Sequence, residues 1–204
     1  ISFNTIIGEY YYLKTYMYMS HDGMLGDYNI CLWDNSISSN NPVADFSSNA
    51  NTVCLGTAIN FTDASAGSPT SWSWDFGDGN TSTSQHPSHT YSSAGTFDVS
   101  LTVTNSFGSD AEIKTGYITV NALPSVTATV DDETCFGACD GIIDLDVTGG
   151  NAPYLYDWDF DGTGDNDDTE DLGGLCNVSN SVIVTDGNGC QQSATFTVGT
   201  TLAI

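Results

Sequence analysis

Short runs of alternating apolar and polar residues, separated by turn-forming clusters, are the feature that most constrains the fold of this chain. In the clearest run, Phe97, Val99, Leu101 and Val103 occupy one face, and polar residues alternate with them. A period of two predicts a strand with one buried face. Similar runs lie at residues 58–61, 71–76 and 112–120. Their spacing is typical of a β-sandwich.

The composition supports an all-β fold. Thr, Val, Tyr and Phe, which favour strands, are plentiful. Lys, Arg and Glu, which usually cover the surfaces of helices, are scarce. The 204 residues include two Lys and no Arg, and 22 of the 26 acidic residues are Asp rather than Glu. We therefore predict an all-β protein.

The charge balance excludes several partners. Lys14 and Lys114 are the only basic residues other than His, and the formal net charge is −24. Nucleic-acid binding needs cations that displace the counterions of phosphates, and an anionic membrane would repel this chain. No stretch approaches 18 apolar residues, so we predict no membrane span and no nucleic-acid partner.

Charge and turn signals divide the chain into three segments, residues 1–40, 41–122 and 123–204, with net charges of −3, −6 and −15. In the first segment, β-rich runs at residues 9–19 and 26–33 flank a turn at residues 21–23. Two or three strands are too few to bury two faces. We expect this partial sandwich segment to be completed by other domains of the same long chain or by a neighbouring copy.

Six cysteines and no C-x-x-C spacing favour disulfides over a zinc site. Disulfides indicate an oxidising, extracellular setting. Because the sequence has no initiator Met at Ile1, we expect a mature product or a piece of a longer chain.

Three motifs occur together in the second segment: WDFGDG at residues 74–79, HTY at residues 89–91 and GTFDVSLTVTN at residues 95–105. As a set they resemble a PKD (polycystic kidney disease) domain over about residues 42–121. The resemblance implies an immunoglobulin-like β-sandwich that serves as a spacer or interaction module in extracellular proteins.

The third segment contains TCFGACDG at residues 134–141, GGNAPY at residues 149–154 and VIVTDGNGC at residues 182–190. These motifs resemble an SprB-type repeat, a family of surface adhesins of gliding bacteria, over about residues 125–198. The resemblance implies tandem sandwich modules at the surface of a Bacteroidota-like cell. The first segment is similar to the closing hairpin of a bacterial pre-peptidase C-terminal sandwich.

For the third segment we predict the disulfides Cys135–Cys190 and Cys139–Cys176, because each would join the opening strand region to a later strand of one sandwich. In PKD-like relatives, a cysteine at the position of Cys54 often pairs with one near residues 105–107, where this chain has none. Cys31 is the cysteine left over, and we predict a Cys31–Cys54 bond.

An acidic insertion at residues 157–171 departs from the SprB pattern. Its start fits the calcium-loop template D-x-D-x-D-G, with carboxylates again at positions 9 and 12. Position 12 is an Asp and not a Glu, and flanking helices are not expected. We predict calcium as the cofactor, with a set of oxygen ligands from Asp157, Asp159, Asp161, Thr163, Asp165 and Asp168. The alternative is a solvated acidic hairpin tip beside an inward-packed Trp158.

No pattern in the chain indicates catalysis. Asp75 and Asp78 form a carboxylate pair, but turn capping explains them better than acid–base chemistry. His21, His86 and His89 fit no metal motif, and His89 is expected to hydrogen-bond across the sandwich. The tyrosines between residues 10 and 18 offer aromatic rings on which sugars can stack, so sugar binding remains an alternative.

We predict a non-enzymatic piece of a large secreted or cell-surface bacterial protein that serves as a stalk, adhesive or filament module. Its partners would be other domains or copies of the chain, or a surface polysaccharide or protein. The alternative is a carbohydrate- or protein-binding accessory region of a secreted hydrolase such as a protease.

Overall fold

The computed structural model describes residues 41–158 and 168–201 in full and residues 2–6 and 12–16 by their backbone. The chain divides into two compact units, Ile1–Ile37 and Ser38–Ile204. Every regular element in the described ranges is a β-strand, which confirms the predicted all-β class. None of the described residues forms a helix of the length and apolar character needed to cross a membrane.

The described residues of the first unit form an antiparallel pair, β1 (Ser2–Ile6) and β2 (Tyr12–Tyr16). Strand β2 lies inside the run predicted at residues 9–19. The run at residues 26–33, the turn at residues 21–23 and Cys31 lie outside the described residues, and so does most of the segment likened to a pre-peptidase hairpin.

The second unit begins with a sandwich of two sheets, which we call the first module. Its strands are β3 (Phe46–Ser48), β4 (Thr52–Cys54), β5 (Ala58–Asp63), β6 (Ser71–Asp75), β7 (Thr81–Ser82), β8 (Ser88–Thr90), β9 (Gly95–Asn105) and β10 (Gly108–Asn121). One sheet has the order β4-β10-β9-β6-β7 and the other the order β3-β5-β8. Strand β4 runs parallel to the end of β10, and the other pairs are antiparallel.

The core of the first module follows from the alternation of its strands. In β9, Val99, Leu101 and Val103 are fully buried, while Asp98 and Thr104 are exposed. They pack against the aromatic side chains of Phe46, Phe61, Trp74, Phe76 and Tyr91. The strands predicted at residues 58–61, 71–76, 96–103 and 112–120 are all present, with β5, β9 and β10 longer than predicted and β6 one residue shorter.

The second module follows β10 after only Ala122 and Leu123. Its strands are β11 (Pro124–Asp131), β12 (Gly141–Gly149), β13 (Leu155–Trp158), β14 (Leu172–Leu175), β15 (Ser179–Thr185) and β16 (Gln191–Thr197). They form two antiparallel sheets of three strands each, β11-β12-β14 and β13-β15-β16.

The core of the second module surrounds one tryptophan. Trp158 is fully buried in β13, beside its register partner Val182 in β15. The other buried residues of this core are aliphatic: Ile143, Leu145, Leu172, Val184 and Val198. Each module therefore has its own core.

Candidate functional site

The WDFGDG motif forms the turn between β6 and β7. Asp75 Oδ1 accepts a hydrogen bond from the amide of Gly77 at 2.9 Å, and Asp78 Oδ1 accepts one from the amide of Asn80 at 3.0 Å. Gly77 has a φ of 79°, and an added Cβ there would lie 2.3 Å from the carbonyl oxygen of Asp98. The two carboxylates therefore cap the turn, as predicted.

The turn is tied to the opposite sheet by His89 in β8. His89 Nε2 lies 2.8 Å from Asp78 Oδ2, and its ring stacks on Phe76 with centroids 4.2 Å apart. The hydroxyl of Tyr91 donates to the carbonyl of Phe76 at 3.0 Å. These contacts confirm the expectation that His89 hydrogen-bonds across the sandwich.

Asp78 and Asp63 of the first module are partly buried and are held in their charged form by hydrogen bonds from their neighbours. Burial alone would raise the pKa of Asp78, but hydrogen bonds from Asn80 and His89 outweigh it and lower that pKa. Burial is likewise opposed at Asp63, whose pKa is lowered by donors that include Ser65, Gln85 and the Trp72 indole. Acid–base catalysis at pH 7 calls for the opposite perturbation, a raised carboxyl pKa.

Two small depressions lie on the surface of the first module, and one of them is beside this turn. One of about 140 Å³ is lined by residues that include Asp75, Asp98 and Ile113. The other, of about 250 Å³, lies at the opposite end of β6, is lined by residues of two loops (67–70 and 105–107), and has no titratable group in its lining. Ligand pockets usually enclose about 300–1,000 Å³. The depression beside Asp75 is smaller than that range.

Lys114 binds the opening strand of the first module. Its Nζ donates to Asp45 Oδ1 at 3.0 Å and to the carbonyl of Phe46, and it lies 4.5 Å from the centre of the Phe46 ring. The hydrogen bond from Lys114 and that from the amide of Phe46 lower the pKa of Asp45. This cation is used within the module.

The acidic insertion is described only at its base. Asp168 Oδ2 accepts a hydrogen bond from the amide of Trp158 at 2.6 Å, and the Trp158 indole donates to the carbonyl of Thr169 at 3.0 Å. Asp157 is half-buried in β13. The remaining predicted ligands, Asp159, Asp161, Thr163 and Asp165, lie outside the described residues. Calcium binding therefore stays a prediction.

Two buried carboxylates of the second module were missed by the sequence analysis. Asp186 is 3% exposed and accepts hydrogen bonds from the amides of Asn151, Asn188 and Cys190 at 2.8–3.0 Å. Glu133 is 1% exposed and accepts from the Thr200 hydroxyl and the Cys139 amide. An Asp before Gly-Asn-Gly is a turn signal that points to Asp186, whereas Glu133 follows no such pattern.

The disulfides partly differ from the predicted pairs. Cys139 and Cys176 are bonded, as predicted. The predictions Cys135–Cys190 and Cys31–Cys54 are wrong, because Cys54 bonds to Cys190 with a Cα–Cα distance of 5.5 Å. Cys135 is exposed and is a free thiol. The predictions had joined Cys190 to its own module, but the bond links the two modules.

The geometry of the junction explains the observed pair. Cys54 ends β4 opposite Asn121, the last residue of β10, and Asn121 also accepts the amide of Leu55 at 2.9 Å. Cys190 is fully buried and closes a turn that Asp186 holds. Both cysteines lie where the first module leads into the second, so the junction has two covalent connections.

Comparison with protein families finds a PKD domain at residues 39–120 followed by an SprB repeat at residues 127–163. The PKD and SprB resemblances noted in the sequence are therefore confirmed. The SprB match ends inside the acidic insertion, so the VIVTDGNGC motif lies beyond it.

Several proteases share similarity with part of this chain. Collagenase ColA of Bacillus cereus is 38% identical over 35% of the chain, and the pre-pro-metalloprotease PrtV of Vibrio cholerae is 44% identical over 34% of it. The chain spans 7% and 8% of those two proteins. The solved PKD1 domain of the same PrtV is 36% identical, with 39% of this chain and 95% of that one covered and a TM-score of 0.34.

Proposed function

We propose that this chain is a non-enzymatic, extracellular structural segment of a larger bacterial protein, which places other domains at a distance from the surface as a stalk. The observation that supports this most directly is the junction between the modules. Two residues separate β10 from β11, and the Cys54–Cys190 bond joins the modules a second time. Such a junction restricts bending, and a spacer needs a restricted junction.

The polar groups of the PKD turn support the non-enzymatic part of the proposal. Asp75, Asp78 and His89 each contact turn amides or one another. A catalytic group must instead reach a substrate in a cleft. The protease similarities cover about one module of this chain and a tenth or less of the proteases themselves, which suits a role as an accessory module.

The extracellular part of the proposal rests on chemistry and on the family matches. Two disulfides in the described residues suit an oxidising compartment. The SprB repeat favours the surface of a Bacteroidota-like cell over a free secreted enzyme. We therefore place the stalk or adhesive role first, and an accessory region of a secreted protease second because of the PKD similarities.

Two measurements test this proposal. The full chain should show no turnover on peptide, collagen and glycoside substrates. Activity that Asp75→Asn or Asp78→Asn abolishes would overturn the non-enzymatic assignment. Antibodies against residues 41–201 should label intact source cells.

Binding to insoluble substrates separates the two candidates. An accessory region should retain the chain on insoluble collagen or polysaccharide, whereas a stalk should bind no better than a control protein of similar net charge. Specific retention on one of these matrices, with label in the culture medium and none on cells, would favour the accessory role.

A further inference from the structure

The Cys54–Cys190 bond encloses most of the second unit in one covalent loop. The two cysteines are 136 positions apart, and the loop contains β5 to β15. Of the strands of the two modules, β3, β4 and β16 lie outside the loop or end at it. Each of the three is at the edge of its sheet.

The two hydrophobic cores also lie mainly within this loop. Sixteen of the nineteen buried core residues described fall between residues 55 and 189. The other three are Ala44, Phe46 and Val198. They belong to the segments that lead from the disulfide toward the two ends of the chain.

We propose that the Cys54–Cys190 disulfide is a tension bypass: once force on the two ends of the chain has detached the edge strands β3, β4 and β16 from their partners, it passes through this bond, and residues 55–189 do not carry it. The inference deepens the proposed stalk role and rests on it for its biological setting. Force enters through β3 and β4, crosses the two sulfurs, and leaves through β16. A covalent bond sustains this force where the hydrogen bonds of a sheet would separate.

Under tension, the bypass allows removal of edge strands only. The segments at residues 41–53 and 191–201 can be pulled straight, but the enclosed strands cannot be separated from one another by the applied force. The Cys139–Cys176 bond lies entirely inside the loop, so it carries no force while the outer bond is intact. The outer disulfide thus limits how far the second unit lengthens.

The test is force–extension measurement on the full chain, held at its two termini. A chain extends by about 3.5 Å per residue. In Cys54→Ala plus Cys190→Ala the inner bond remains, so the gain corresponds to the difference between separations of 136 and 37 residues, which is 99. We expect this variant to reach a final contour length about 350 Å greater than that of the oxidised chain.

Full reduction of the chain gives a second, independent measurement. Two dithiol molecules convert the two bonds to four thiols, and each dithiol is oxidised to a cyclic disulfide. We expect the reduced chain to exceed the oxidised chain by about 470 Å, because 136 residues then extend. Cys135→Ala is the matched control and should leave the final length of the oxidised chain unchanged, since Cys135 is a free thiol.

A different pattern would overturn the proposal. If Cys190 were bonded to Cys135, the double variant would gain only about 60 Å, and Cys135→Ala would lengthen the chain by a similar amount. An oxidised chain that already reaches the length of the reduced chain would show that no bypass exists. These outcomes differ from a failure of the stalk proposal, which would appear as enzymatic turnover or as specific retention on a matrix.

Discussion

Each module is built around one fully buried tryptophan, and the two tryptophans differ in the residues that surround them. Trp74 donates its indole N–H to the carbonyl of Ser84 at 2.8 Å, and Trp158 donates to that of Thr169 at 3.0 Å. Both side chains are fully buried. In both modules the indole therefore binds a carbonyl ten or eleven residues further along the chain.

The surroundings of the two side chains are different. Trp74 contacts the rings of Phe46, Phe61 and Phe76, with centroids 5.2–6.4 Å apart, whereas the buried neighbours of Trp158 are aliphatic. The segment after Trp74 begins Asp-Phe-Gly-Asp-Gly, and the segment after Trp158 begins Asp-Phe-Asp-Gly-Thr-Gly. A buried tryptophan therefore precedes a short capped turn in the first module and an acidic insertion in the second.

Replacement of each tryptophan tests whether the anchors are equivalent. Trp74→Ala and Trp158→Ala should each lower the free energy of unfolding by about 3–5 kcal/mol, because a large buried side chain is lost. The loss at Trp74 should be about 1 kcal/mol larger, since its aromatic contacts add to the buried area. Equilibrium urea unfolding measures both.

Trp74→Phe is the control for that comparison. It keeps an aromatic ring but leaves the carbonyl of Ser84 without the indole donor, so its loss should be smaller than that of Trp74→Ala. A larger loss at Trp158 than at Trp74 would contradict the importance given to the aromatic contacts.

The buried carboxylates provide the next test. Asp186→Ala should cost about 3 kcal/mol in unfolding free energy, because the amides of Asn151, Asn188 and Cys190 lose their acceptor. Asp78→Ala should cost about 1–2 kcal/mol. Asp144→Ala, at an exposed site in β12, should change the value by less than about 0.5 kcal/mol. Similar values for Asp186 and Asp144 would refute the capping role.

Calcium would sharpen the difference between the modules, because only the second has the insertion. Binding to the folded form alone stabilises by about 2.7 kcal/mol at a hundredfold excess over Kd. We expect a chelator to lower the Tm of the second module, and Asp159→Ala plus Asp161→Ala to remove the calcium dependence. Differential scanning calorimetry at matched ionic strength measures this.

The matched control for calcium is Asp144→Ala plus Asp146→Ala, which removes the same charge from exposed positions of the same module. That variant should keep the calcium dependence. A Tm that is the same in chelator and in millimolar calcium would leave the insertion as a solvated acidic tip.

The smallest expected effect is the acid sensitivity of the first module. The pKa values of Asp45, Asp63 and Asp78 are lowered below the ordinary 3.8. A lowered folded pKa stabilises the fold above the unfolded value, and this stabilisation is lost as the pH falls through the folded pKa. We therefore expect Tm to fall by a few degrees from about pH 4 to pH 2.

Asp78→Asn should weaken that decrease, because it removes one of the three groups. Added salt screens the general repulsion of the acidic chain, so the measurement is made at high ionic strength. Asp144→Asn makes the same charge change in the second module and should leave the decrease intact. A Tm that does not fall below pH 4 would contradict the assignment.

The fold and the PKD turn could be predicted from sequence because both depend on local patterns. The alternation of β9 identifies its buried face, and the Asp and Gly residues of WDFGDG form a turn through contacts two residues apart. For His89, the sequence predicted a hydrogen bond across the sandwich but did not identify Asp78 as the partner.

The inter-module bond could not be predicted, because it depends on how two independently patterned modules meet. Nothing in the spacing of Cys54 and Cys190 reports that β4 ends beside the junction. Glu133 was missed for a similar reason: its partners at Thr200 and Thr201 come from the far end of the module. Polar contacts between residues that are far apart in the chain produce no periodic pattern in the sequence.

The separation of Cys54 and Cys190 also sets an order of events during biosynthesis. At about 5–20 residues per second, Cys190 is synthesised roughly 7–27 s after Cys54. The strands of the first module are complete before that, so this module can fold while Cys54 is still a thiol. Cys139 and Cys176 are both made during the interval, so of the two disulfides in the described residues, the one that joins the modules is the later to have both its cysteines synthesised.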